Sequence, residues 1–142
     1  MTMTVSSTAV AGTYTITVQG AGGGVTQTTT VNLTVTVTGT KDFSISASPT
    51  AITVSRGKSG NSVITTAALN GFDAAITLTA SGQGTAQKVT FSPNPIAAPG
   101  SGASTMTVTV GANATLGKHT ITIRGTGGSK KHTTTVILTV TN

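Results

Sequence analysis

The chain contains no cysteine, no tryptophan and no glutamate, and Asp42 and Asp73 are the sole acids in its 142 residues. Without Cys there is no disulfide and no thiolate metal ligand, so cysteine usage says nothing about redox compartment. Two carboxylates are too few for the clustered oxygen ligands that hold calcium. A nucleophile–base–acid arrangement would require His119 or His132 to meet Asp42 or Asp73. Paired-carboxylate hydrolysis would rest on those same two acids, which are far apart in the expected strand order. No apolar run is long enough to span a bilayer, and Met1-Thr2-Met3-Thr4 has neither the basic start nor the apolar core of an export signal. A secreted protein of this kind would carry its signal outside these residues.

What the chain does have is Thr, Val, Ser, Ala and Gly. Apolar residues reach 36% while aromatics reach only 3%. β-Branched side chains fit a pleated, half-buried surface and lose rotamer freedom in helices, so strands are expected and no helix longer than a turn. All eight Lys and Arg and both acids lie in 41–142, and residues 1–40 carry no charged side chain. The formal charge of +6 permits weak attraction to polyanions, but eight cations on a hundred residues are sparse, and solubility is the simpler reading.

Alternation of period two marks successive strands in 41–142. Phe43, Ile45 and Ala47 begin a strand that Pro49 interrupts and Ile52 and Val54 resume, as in a first strand that switches sheets. Strands are then expected at Val63 to Leu69, at Ile76, Leu78 and Ala80, and at Val89 and Phe91. Three more follow, at Met106, Val108 and Val110, at His119, Ile121 and Ile123, and at Val136, Leu138 and Val140. The last two are read as a hairpin turning around Gly125-Thr126-Gly127-Gly128. Seven short strands with polar turns fit an all-β, immunoglobulin-like sandwich.

Residues 1–37 repeat residues 106–142 at a constant offset of 105 with no gap, matching at roughly half of their positions. The expected organisation is therefore a complete sandwich over 41–142, preceded in 1–40 by the last three strands of an earlier copy. Tyr14 stands where such sandwiches place a Tyr whose hydroxyl turns back to the preceding corner, and His119 takes the matching place in the complete copy. Phe43 and Phe91 have core parity and Phe72 is expected to plug the sandwich end. No aromatic is left to form a sugar-binding platform.

Asp42-Phe43-Ser44-Ile45-Ser46-Ala47-Ser48-Pro49, Asn70-Gly71-Phe72, Phe91-Ser92-Pro93 and Gly117-Lys118-His119-Thr120-Ile121-Thr122-Ile123 resemble bacterial Ig-like (immunoglobulin/fibronectin-III-like) tandem repeats. The resemblance covers 41–142 and part of 1–37. It implies an extracellular or cell-surface location, as a stalk or adhesive element or as an accessory domain trailing a secreted peptidase or glycosidase. The fold hosts many roles, so the resemblance names no ligand.

No catalytic residue, metal ligand or cofactor is expected. His119 and His132 are on neighbouring strands without being cross-strand partners, and no third strong ligand exists for zinc. The candidate association surface is the apolar set of 1–37: Tyr14, Ile16 and Val18 on one strand, and Val31, Leu33, Val35 and Val37 on its partner. Left in water, such a set favours completion by another chain through strand complementation or domain exchange. A candidate basic contact is Arg124 with Lys130, Lys131 and His132, at the tip where antibody-like domains bind. Expected partners are thus other copies or neighbouring repeats, with a cell-surface or polyanionic partner as the alternative. Membrane insertion and specific nucleic-acid recognition are not expected. Asn32-Leu33-Thr34 and Asn113-Ala114-Thr115 are glycosylation sequons. An internal crosslink between Lys41 and Asn142 is rejected because the two belong at opposite ends.

Overall fold

The computed structural model describes residues 2–6, 9–36 and 39–142. They form strands and loops without helix, in two compact units, Met1–Gly39 and Thr40–Asn142.

In the second unit, two four-stranded sheets face each other. One has the order β4-β10-β9-β6, from Ala51–Ser55 (β4), Lys130–Thr141 (β10), Gly117–Gly127 (β9) and Thr77–Ser81 (β6). The other has the order β3-β5-β8-β7, from Asp42–Ser48 (β3), Ser59–Leu69 (β5), Gly102–Val110 (β8) and Gln87–Ser92 (β7). The switch expected at Pro49 is real: β3 runs antiparallel to β5 in one sheet, and β4 runs parallel to β10 in the other. Counting the two halves separately gives eight strands where seven were expected.

Period-two alternation turns one side of each strand inward. Ile64, Met106, Val108 and Val110 from one sheet meet Leu78, Ile121, Ile123, Val136 and Leu138 from the other, and all are buried. Phe43 and Phe72 close one end, their ring centres 5.3 Å apart. Buried polar groups are largely satisfied, as burial demands. Ser62 donates to the Pro49 carbonyl at 2.8 Å and Ser104 to the Pro93 carbonyl at 2.7 Å. Asn94 both accepts from Leu78 N and donates to Leu78 O, at 2.9 Å each, and so pairs the free edge of β6 with a side chain.

The first unit is a hairpin of Gly12–Gly22 (β1) and Val25–Val35 (β2). Two strands, not the expected three, are present among the described residues. The physical reason lies in the complete unit. There the counterpart of residues 1–5 is part of β8, held by ladders to β5 and β7, whereas among the described residues 2–5 belong to no strand ladder.

The expected turn of the last hairpin needs correction. Gly125 and Gly127 are strand residues, paired with His132 and Lys130, and the two-residue turn is Gly128-Ser129. Gly128 takes φ +55°, the left-handed region that a two-residue hairpin turn requires at its first central position. In the first unit Gly23 and Gly24 turn at φ +59° and +79°. His119 accordingly lies opposite Leu138, two residues beyond the expected Val136, and does not face His132.

Candidate functional site

The two hairpins share one register. Tyr14 pairs with Leu33 and Ile16 with Val31, as His119 pairs with Leu138 and Ile121 with Val136. Each number differs from its counterpart by 105, so the sequence repeat is also a repeat of cross-strand partners. The corner is repeated too. The Tyr14 hydroxyl donates to the Val10 carbonyl at 2.9 Å, and His119 Nε2 contacts the Thr115 carbonyl at 3.0 Å, four residues upstream in each case. A carbonyl can only accept, so Nε2 carries the His119 proton.

Because directly opposed residues share a face, Tyr14, Ile16, Val18, Val31, Leu33 and Val35 form one apolar stripe. Ile16, Val18, Leu33 and Val35 are half-buried, while Tyr14 and Val31 are 44% and 37% exposed. The equivalent Ile121, Ile123, Val136 and Leu138 are at 0%. Val37 lies outside the described residues. The ladder edges differ as well. In the complete unit β9 also pairs β6 and β10 also pairs β4, whereas among the described residues β1 and β2 pair only each other.

Two further positions belong to this face, and sequence reading took their counterparts for turn residues. A Cβ on Gly125 would lie 3.1 Å from Phe43 and 3.2 Å from Ile45 and from Ile76. A Cβ on Gly127 would lie 2.7 Å from Phe72 and 3.1 Å from Ile76. Both glycines are slots into which large side chains from β3, from the turn after β5 and from the residue before β6 project. The matching Gly20 and Gly22 on β1 have nothing within 4 Å of such a Cβ. The slots are there and the knobs are not.

The candidate basic contact does not assemble as one patch. Arg124 and Lys131 point to the outer side of the sheet, whereas Lys130 and His132 share the inner side with Gly127 and Gly125. His132 is engaged there. Its Nε2 meets Asp42 Oδ1 at 2.6 Å, and Phe43 stands edge-on to its ring at 4.8 Å. This pair joins β10 to β3 across the two sheets. Asp42 is held below the ordinary carboxylate range, first by the His132 hydrogen bond and next by the Phe43 N–H. One His and one acid thus do meet, which the strand order did not suggest.

Asp73, at the same end, is bound by Lys41 at 2.8 Å, and the ion pair lowers its pKa. Beside it a cleft of about 390 Å³ is lined in part by Phe72, Ser129 and Lys130. Among the described residues no three His, Cys, Asp or Glu side chains are placed to hold a metal ion, and no helix is long and apolar enough to cross a membrane. Asn142 Oδ1 is bound by Arg56, far in the ladder from Lys41 and its partner Asp73. Asn32 and Asn113 are both exposed.

In fold, the chain is similar to domains 4 and 5 of the S-layer protein SbsC. The likeness has a TM-score of 0.59 at 21% identity and covers 94% of this chain and 67% of that one. A longer SbsC structure, domains 4–9, is similar at TM-score 0.52 and 25% identity, over 93% of this chain and 18% of that one. A family 123 glycoside hydrolase from Clostridium perfringens is similar at TM-score 0.51 and 14% identity, over 71% of this chain and 27% of that one. These likenesses concern the fold alone. The chain spans about two thirds of the two-domain SbsC structure and under a fifth of the longer ones. No protein-family model and no curated protein matches the chain.

Proposed function

We propose that this chain is a non-catalytic repeat module of an extracellular surface assembly, a stalk or self-associating element whose hairpin β1–β2 is completed by strands of another molecule. The observation that carries the reading is the contrast between two hairpins of one register, one closed into a core and one exposing the same apolar stripe and both edges. The fold similarity to S-layer protein domains supports a structural role at a cell surface. The engagement of His132 with Asp42 and of Lys41 with Asp73 supports the absence of catalysis, since both acids are taken up in structural pairs.

Magnitudes shape the mode of association. Burying one Val, Leu or Ile side chain is worth about 1.5–3 kcal/mol, so the stripe offers on the order of 10 kcal/mol at most. Joining two molecules costs about 4–15 kcal/mol. Face burial alone is therefore marginal, and main-chain pairing along the open edges of β1 and β2 must add to it. An isolated two-stranded hairpin is itself only marginally stable, so ordering of the hairpin and association are one event.

Light scattering on the full chain and on residues 40–142 tests the reading. A mass above one chain that returns to one chain on removal of 1–39 is expected. A full chain that stays monomeric with an ordered hairpin overturns it. The division of the basic cluster between two faces leaves a polyanion site without a common surface.

A further inference from the structure

We infer that the mate of hairpin β1–β2 is a copy of strands β3–β8 of this same repeat, seated so that its counterparts of Phe43, Phe72 and Ile76 fill the slots at Gly20 and Gly22. The inference rests on the completion of β1–β2 from outside and adds what completes it.

An apolar stripe by itself would accept any greasy surface. The slots are more selective. In Thr40–Asn142, Gly125 admits Phe43, Ile45 and Ile76, and Gly127 admits Phe72 and Ile76. These four side chains come from β3, from the turn after β5 and from the residue before β6, which no local stretch supplies together. Glycine weakens a strand, so two glycines on the apolar side of β1 are a cost unless something must lodge there. The rest of the stripe corresponds position by position: Ile16 for Ile121, Val18 for Ile123, Val31 for Val136, Leu33 for Leu138 and Val35 for Val140. At the inner position of His132 the hairpin carries Gln27, and its amide N–H can donate to the Asp42 carboxylate of the copy as His132 does here.

The comparison also sets the condition for docking. Val18 is one methylene smaller than Ile123, so β1–β2 cannot outcompete β9–β10 for a seat already filled. The mate is therefore a copy of β3–β8 whose own last hairpin is absent or displaced, and intact monomers do not exchange hairpins spontaneously.

The probe is a polypeptide of residues 40–116, which comprises β3–β8, diluted from denaturant into the full chain and into the full chain carrying Gly20→Val and Gly22→Val. A one-to-one complex by native mass spectrometry is expected with the unaltered chain. The double variant should bind roughly 10- to 100-fold more weakly. Thr28→Val, on the outer side of β2, should bind as the parent does. Equal binding by parent and double variant would mean capture by β9–β10 or by the bare stripe, and overturns the assignment. No complex at all overturns it too.

A second measurement needs no fragment. Within the full chain, residues 117–140 are replaced by a duplicate of residues 12–35, segments of equal length. A cooperative unfolding transition that Gly20→Val introduced in the duplicate weakens supports the seat. A graft that never folds overturns it. Self-association of the full chain without capture of 40–116 leaves the assembly reading standing and removes only this mate, pointing to two hairpins stacked face to face.

Discussion

Placing the same side chain at two positions related by the repeat separates a filled slot from an empty one. Gly125→Val puts a Cβ 3.1 Å from Phe43 and 3.2 Å from Ile45 and Ile76, before the two methyl groups of Val are added. Overpacking of this kind costs about 1–3 kcal/mol in a core that interdigitates well. The folded-to-unfolded ratio of Thr40–Asn142 then falls by roughly 5- to 150-fold, at about 1.4 kcal/mol per factor of ten. For a unit of this size the thermal midpoint drops by about 4–8 °C for each kcal/mol. In urea the midpoint falls by about 1 M, given slopes of about 1–3 kcal/mol per molar. Gly20→Val, with nothing within 4 Å, exchanges a strand-weakening residue for a strand-favouring one and should leave that midpoint unchanged. Urea titrations of the full chain followed by far-UV circular dichroism measure both. If Gly125→Val melts with the parent, the slot interpretation fails. If Gly20→Val destabilises as strongly as Gly125→Val, the space over β1 is already filled and the hairpin is not in want of a mate.

Leu138→Ala removes a fully buried side chain between the sheets and should destabilise Thr40–Asn142 by about 2–5 kcal/mol in the same titration. His119→Phe loses the donor to the Thr115 carbonyl and should cost about 0.5–1.5 kcal/mol, while His119→Tyr restores a donor of the kind Tyr14 uses and should recover most of it; equal melting of both variants would deny the corner its hydrogen bond. The Asp42 carboxylate has its pKa depressed by His132, Phe43 N–H and the nearby Lys130 charge. Its stabilising contribution is therefore complete above the unfolded value of 3.8 and fades as pH falls through the lower folded value. Asp42→Asn should accordingly be less stable than the parent at neutral pH, and the two should converge on acidification. A constant gap down to the acid limit would assign the effect to something other than charge.

Much of the fold was legible because period-two alternation is strong where both sheets are buried on one side. Ile121 and Ile123, or Val136, Leu138 and Val140, can hardly be read otherwise. Pro49 marked the sheet switch since it interrupts one ladder where the next begins. The turn was misplaced for a physical reason. Gly125 and Gly127 carry the chemical signature of a loop, yet they are in the strand because Phe43 and Phe72 leave no room for a Cβ. Glycine chosen for clearance and glycine chosen for dihedral freedom look alike until the opposite sheet is known. The Asp42–His132 pair was hidden because its partners are 90 residues apart and meet across two sheets, which no local pattern records. The basic residues divide between two faces because Lys130 and Lys131 are neighbours along a strand and therefore point to opposite sides of it. The third strand expected in 1–40 needed ladders of the kind that β5 and β7 supply to β8.

Tyr14 is the one tyrosine of a protein without tryptophan, and it lies in β1. Its ring is part-exposed beside the open end of the hairpin, and its hydroxyl is tied to Val10. Tyrosine emission from this molecule therefore originates in the small unit. Arrival of a mate over the phenol would change the intensity and polarisation of that light. Nature has put a single lamp on the part of the chain whose company is in question, and docking can be watched without attaching a dye.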